Sequence, residues 1–338
     1  MSLPELHDRG DAQVGTPSTV PVAPVAARPG APTLPGVDFA LYRTIAGQGG
    51  VFTVDQALDS CSDAEVRRLV RSGRWRRSPW RGVLVDAEVP DSFAVRVRAA
   101  SLVVGPDLVV CHSTAARLWG FDVLGDDVLH FLGPSELVNR SRPGIRVHPS
   151  SLGTDDAVLV GGVWCTPAAR TACDVVRRTP PIDGLATLDA ALRSRFCTRE
   201  ELAAAAQEQA GLRQVIRLRG LVPHADPRID SPMESRMRWR FLAAGFPAPD
   251  VQVRVPAGGR ARWIDIGWRE QRVGAEFDGQ EAHMTPEQLR DDRHRHNWLT
   301  ENRWTLLHFT KDDVYRAHRQ MLAGTARALG LPPGSWRS

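Results

Sequence analysis

The sequence predicts an α+β chain built in more than one domain, and three observations predict it. Capping signals at Thr53-Val54-Asp55-Gln56, Ser62-Asp63-Ala64-Glu65, Ser231-Pro232-Met233-Glu234 and Thr285-Pro286-Glu287-Gln288 mark helix starts. Short apolar runs bounded by turn residues, such as Gly82 to Val85, Val251 to Val255 and Trp304 to Phe309, read as strands. The length of 338 residues suits two or three cores better than one.

Composition narrows the class. Hydrophobic residues make up 42% and charged residues 24%, so most of the chain is expected to fold. No apolar run reaches about 18 residues, so no membrane span is expected. The start, Met1-Ser2-Leu3-Pro4-Glu5, lacks the basic and apolar regions of a secretory signal. Residues 1 to 36 are rich in Pro, Ala, Gly, Thr and Val without periodicity and read as a disordered leader. The cysteines, Cys61, Cys111, Cys165, Cys173 and Cys197, never fall at C-x-x-C. They read as reduced, mostly buried thiols of a cytoplasmic protein, neither a zinc site nor a disulfide frame.

From 37 to 86 the elements follow as a helix over Asp38 to Ala46, two helices opened by capping boxes, and a hairpin. The third helix runs to Arg71 and ends at Gly73. The strands are Trp75-Arg76-Arg77 and Gly82-Val83-Leu84-Val85. This is the order of a winged helix-turn-helix. Residues 62 to 82 hold seven arginines against two acids: Arg67, Arg68, Arg71, Arg74, Arg76, Arg77 and Arg81. In such a module the third helix meets the major groove, so these arginines are DNA-contact candidates.

The motifs Gly50-Val51-Phe52-Thr53, Gly73-Arg74-Trp75-Arg76-Arg77, Arg81-Gly82-Val83-Leu84 and His112-Ser113-Thr114-Ala115-Ala116-Arg117-Leu118-Trp119-Gly120 carry a resemblance. With Gly144 to His148 and Thr166 to Thr171, they resemble actinobacterial proteins of the abortive-infection type IV antitoxin class (AbiEi-like). The resemblance runs over about 38 to 180, with the winged helix at its N-terminal end. It implies DNA binding and autoregulation, and it leaves a partner toxin open.

Residues 87 to 225 read as a mixed α/β scaffold. Ser92 to Val104 and Ser113 to Leu118 look helical, Leu129 to Leu132 a strand, and Pro181 to Leu221 an alanine-rich helix. His112, His130 and His148 have no ligand spacing and read as structural or surface histidines.

Residues 230 to 330 read as α-β-β-β-α-β-α. A helix begins at Ser231 with Met233, Met237, Phe241 and Ala244 as its buried stripe. Strands follow near Val251 to Val255, Arg262 to Trp268 and Arg272 to Asp278. Then come a helix from Thr285 to Asn302, a strand over Trp304 to Phe309, and a helix over Lys311 to Leu329. Glu276 and Asp278 share a strand face, and a hairpin partner brings Asp265 beside them. Crowded carboxylates repel, and a hard cation such as Mg²⁺ relieves that.

Glu234, Ile264-Asp265, Glu276-Phe277-Asp278-Gly279, His283, Asp291 to Arg295 and Asn302 to Leu307, in that order, resemble the restriction-endonuclease-like PD-(D/E)xK superfamily. The nearest likeness is to very-short-patch-repair-like endonucleases and the DUF559 family. The resemblance implies Asp265 and Glu276 as Mg²⁺ (or Mn²⁺) ligands and Glu234, Asp278 and His283 as further catalytic residues. Arg295 would contact phosphate. Asp278 stands where that superfamily usually has lysine, which puts activity in doubt. Glu234 also has an ordinary reading as a capping residue, and Asp291 with Arg295 as an ion pair.

The sequence therefore points to a DNA-binding protein with a metal-dependent endodeoxyribonuclease domain. The alternative is a transcriptional regulator or antitoxin-like protein with a degenerate nuclease fold.

Overall fold

The computed structural model describes residues 38–152, 154–257, 260–279 and 298–337. At its N-terminal end, local capping sets the elements. The Asp38 carboxylate accepts the Leu41 N–H at 2.8 Å and opens α1 (Phe39–Gly47). Thr53 with Gln56, and Ser62 with Glu65, form reciprocal capping boxes that open α2 (Val54–Leu58) and α3 (Asp63–Arg71). Each box satisfies two amide donors that a helix end would otherwise leave unpaired. Gly73, at φ +74°, takes the left-handed turn after α3 that a side chain would strain.

Strands β1 (Val51–Thr53), β2 (Trp75–Arg77) and β3 (Val83–Asp86) form an antiparallel sheet in the order β1-β3-β2. β1 was not expected as a strand. Three residues are too few for periodicity to show, and pairing with β3 decides the matter. The core beneath holds Leu41, Ile45, Phe52, Ala57, Val66, Leu69, Trp75 and Leu84. Phe52 and Trp75 meet edge to face at 4.9 Å.

After α4 (Phe93–Val104) comes a five-stranded sheet in the order β6-β5-β4-β8-β7. Its strands are β4 (Val109–Val110), β5 (Leu129–Gly133), β6 (Ile145–Pro149), β7 (Val158–Val160) and β8 (Val163–Cys165). Only β5 had been read as a strand, because the others are two to five residues long and separated by loops. α5 (His112–Leu118), α6 (Ala168–Arg178), α7 (Pro181–Ser194), α8 (Arg199–Glu208) and α9 (Val215–Leu221) complete this part. The single alanine-rich helix expected over 181–221 is three helices. Arg195 and Gln214 adopt left-handed conformations, and the Thr198–Glu201 capping box starts a new helix between them. Local caps override the shared alanine propensity.

α10 (Pro232–Ala243) leads into a four-stranded sheet in the order β12-β11-β10-β9. β9 (Asp250–Ala257), β10 (Arg260–Trp268) and β11 (Val273–Phe277) form an antiparallel meander, and β12 (Thr305–Phe309) joins parallel to β11. Residues 298–301 are helical, while most of the helix expected from Thr285 lies outside the described residues. The final helix divides into α11 (Lys311–Tyr315) and α12 (His318–Leu329), since Thr310 and Asp313 cap the first as a separate unit. Met237, Phe241, Ile266, Trp268, Ala275, Val314 and Met321 form the core.

α10 packs on α7 through two ion pairs. Arg236 meets Asp183 at 2.9 Å, and Arg238 faces the fully buried Asp189 at 3.6 Å. Burial pushes the Asp189 carboxyl up to about 6, with Arg238 pulling the other way. The chain is thus mixed α+β, with three sheets among the described residues. No described helix is long and apolar enough to cross a membrane.

Candidate functional site

The acidic positions converge on one face of the β9–β12 sheet. β10 and β11 pair Ile266 with Ala275, and one step further along that register sets Asp265 opposite Glu276. The Asp265 carboxylate accepts the Phe277 N–H at 3.0 Å. Glu276 pairs across the parallel β11–β12 ladder with His308 and is only 5% exposed. On the other side, the β9–β10 ladder lacks a pair at Gln252, which stands opposite Asp265 in that register with φ +48°. Gln252 donates its side-chain N–H to Glu234 at 3.3 Å. Gln252, Asp265, Glu276 and His308 thus stand in a row across four strands, with Glu234 above them from α10.

Glu234 is not the capping-box residue it resembles. Ser231 does accept the Glu234 N–H at 3.2 Å, which is half of the box. The Glu234 carboxylate instead accepts from Asp230 N–H and from Gln252, both away from the N-cap amide. Burial raises its carboxyl above the usual range, and the charge of Asp265 adds to this. Two carboxylates that oppose each other's ionisation are what a cation would relieve. The chemistry of this donor set, all hard oxygen, fits Mg²⁺.

Asp278 lies just past β11, with its Oδ1 3.1 Å from His308 Nδ1. The position where the resembled superfamily usually has lysine therefore holds an acid facing an imidazole. Sequence reading missed both His308 and Gln252. His308 sits in an ordinary strand, and only the parallel pairing of β12 brings it in. His283, Asp291 and Arg295 lie outside the described residues.

The arginine group divides in two. Arg74 pairs with Glu88 at 3.0 Å, and Arg76 pairs with Asp91 at 3.6 Å while donating to Val89 O. Arg67 pairs with Asp63 within α3. Arg68, Arg71, Arg77 and Arg81 are exposed and make no ion pair among the described residues, although the charge of Arg68 acts on Glu65. Arg68 and Arg71 come from α3, Arg77 from β2 and Arg81 from the turn before β3.

In the middle sheet, motifs far apart in sequence meet. Trp119 donates its indole N–H to Thr166 O at 2.9 Å, and the Thr166 and Thr171 hydroxyls lie 2.6 Å apart. Asp174, buried on α6, binds Arg170 and Arg177. The three histidines without ligand spacing also come together. His130 Nδ1 is 2.9 Å from His148 Nε2, and His112 packs edge-on to His148 at 4.8 Å. β5 and β6 lie side by side, and α5 starts next to them, so spacing along the chain says nothing of this.

Residues 108–224 match the family model for the AbiEi antitoxin C-terminal domain. The match begins after the arginine-bearing elements and takes in the middle sheet and α5 to α9. The expected placement is therefore corrected: the antitoxin likeness lies in the middle of the chain, not in its N-terminal helices. No endonuclease-domain model matches. The chain is 37% identical over 253 residues to the uncharacterized protein MT2308 of Mycobacterium tuberculosis strain CDC 1551 / Oshkosh. It is equally similar to the uncharacterized protein Rv2248 of strain H37Rv. Each alignment covers 74% of this chain and 91% of the relative. The chain belongs to the family of these mycobacterial proteins.

Proposed function

We propose that the chain is a duplex-DNA-binding regulator of the antitoxin type. The element order α1-β1-α2-α3-β2-β3 is read as a winged helix-turn-helix, with α3 in the major groove and the β2–β3 turn on the backbone. The observation that carries the reading is the unpaired set Arg68, Arg71, Arg77 and Arg81 on α3 and its hairpin. It stands directly before a domain matched to the AbiEi antitoxin C-terminal family. Arg67, Arg74 and Arg76 support the surface but are partly occupied by acids. The middle domain is the natural place for a protein partner such as a toxin.

The test is fluorescence anisotropy with a duplex from upstream of the gene, titrated at several salt concentrations. Affinity is expected to fall as salt rises, and Arg68→Ala and Arg71→Ala should each lower the salt slope by about 1. Salt-independent binding, or an unchanged slope in both variants, would remove α3 from the interface.

A second reading is favoured by one further observation, the meeting of Glu234, Asp265 and Glu276 on one sheet face. In it the C-terminal domain is a Mg²⁺- or Mn²⁺-dependent endodeoxyribonuclease. Asp265 and Glu276 would hold the cation, which would stabilise charge on a phosphodiester and activate water. Glu234 and Gln252 orient the acids. Asp278 sets the ring of His308, and His308 supplies the proton-handling group where lysine is absent. His283 and Arg295, which lie outside the described residues, remain candidates only through the sequence resemblance. Nicking of supercoiled plasmid with and without Mg²⁺ decides this reading independently of the first.

A further inference from the structure

The histidines of the middle sheet form a group that DNA binding does not use. Cys111 follows β4 as the N-cap residue of α5, His112 opens α5, and His148 lies on β6. One donor atom from each lies within 4.8 Å of the other two. Consecutive side chains normally diverge, but His112 has φ +52°, a strained conformation for a non-glycine residue. That backbone turn lets Cys111 and His112 serve one point.

His112 is 6% exposed, and neither ring nitrogen has a hydrogen-bond partner. A core histidine held only for packing would satisfy at least one, since each orphaned polar atom costs about 1–3 kcal/mol. His148 is oriented by a relay. Asp126 Oδ2 is 2.9 Å from His130 Nε2, and His130 Nδ1 is 2.9 Å from His148 Nε2. Asp126 also takes Ser113 Oγ at 3.2 Å. With the carboxylate accepting from His130 Nε2–H, His130 Nδ1 accepts from His148 Nε2–H. His148 Nδ1 is then left as a lone-pair donor. A carboxylate–histidine chain behind a ligand is the usual means of fixing a metal-binding tautomer.

We propose that Cys111, His112 and His148 bind one divalent d-block cation of the zinc type, with Asp126 and His130 positioning His148. One thiolate and two imidazoles are borderline-soft donors that suit Zn²⁺ and not Mg²⁺ or Ca²⁺. Donors around tetrahedral zinc stand about 3.3–3.7 Å apart, so side-chain shifts of about 1 Å close the set. Arg178 lies close enough to act on the charge of both His112 and His148. The Cys111 thiolate supplies the negative charge that offsets it. On binding, the Cys111 S–H bond breaks, the sulfur pair forms the metal bond, and the proton goes to solvent. Water completes the coordination.

The test titrates chelator-treated full-length protein with Co²⁺ and then Zn²⁺. One equivalent of Co²⁺ should give the visible bands of a tetrahedral ion and a thiolate-to-cobalt charge-transfer band, both erased by one equivalent of Zn²⁺. Cys111→Ser should lose the charge-transfer band. His148→Gln should bind at least tenfold more weakly. Cys173→Ser, outside the group, should bind like wild type, and far-UV circular dichroism checks each fold. His130→Asn, which removes no ligand, should weaken binding about tenfold while keeping the charge-transfer band. The proposal is overturned by the absence of a stoichiometric tetrahedral spectrum in folded wild type. It is also overturned if the charge-transfer band survives Cys111→Ser or is lost in Cys173→Ser.

Discussion

The carboxylates Glu234, Asp265, Glu276 and Asp278 and the imidazoles His112, His130 and His148 are both gathered by β-sheets, yet only the first group is visible along the chain. Glu276 and Asp278 are two residues apart, and a single short turn brings Asp265 opposite Glu276. The histidines are 18 residues apart at each step. Their meeting depends on β5 and β6 pairing in parallel and on the unusual backbone of His112. Each cluster holds one non-glycine residue at positive φ, His112 in one and Gln252 in the other. Each also uses a group from a neighbouring element to orient the donors. The comparison teaches that strand periodicity reveals a site only when its donors lie on adjoining strands joined by a short turn.

The largest expected effect tests whether the two regions form one structural unit. α7 and α10 connect them through Asp189 and Arg238, both buried. Asp189→Ala leaves the Arg238 guanidinium without its counter-charge and should destabilise the protein by about 3–5 kcal/mol. Chemical denaturation should then show the two parts separating into distinct transitions. A loss under about 1 kcal/mol with one transition would mean that the junction contributes little.

Plasmid nicking sharpens the contrast next. If the acidic row is catalytic, Asp265→Ala and Glu276→Ala should each lower Mg²⁺-dependent nicking by about a hundredfold or more. Cys111→Ser should leave nicking unchanged. Equal loss in Cys111→Ser would join the two clusters into one function.

The smallest effect is in pH dependence, where the clusters should respond with opposite sign in metal-free protein. Burial lowers His112 to about 2 and His148 to about 4, both below the ordinary value of 6.5. The unfolded chain therefore takes up protons that the folded one refuses. Their contribution is present above pH 6.5 and lost as pH falls, with a slope of about 1.4 kcal/mol per pH unit per proton. Burial and Asp265 raise Glu234 above 4.5, so its contribution is present below that pH and lost as pH rises through the folded value. Stability of wild type, His112→Phe and Glu234→Gln measured from pH 4 to 7 checks both signs. His112→Phe should flatten the acid limb, and Glu234→Gln should flatten the opposite trend. The same slope in all three proteins would break the contrast.

The sequence by itself determined the capped helices, the hairpin after α3, the meander carrying Asp265 and Glu276, and the arginine-rich stretch. All of these are signals spanning a few residues, where capping chemistry and strand alternation act directly. Tertiary structure alone decided which arginines remain unpaired, since Glu88 and Asp91 return from beyond the hairpin to hold Arg74 and Arg76. It also turned the Glu234 side chain from the helix cap toward Gln252, and it brought His308 to Asp278 through a parallel strand. It divided the alanine-rich stretch at Arg195 and Gln214 and placed the distant His148 beside Cys111 and His112. Parallel pairing and inter-element packing join residues whose separation in sequence carries no period, so no local pattern can announce them.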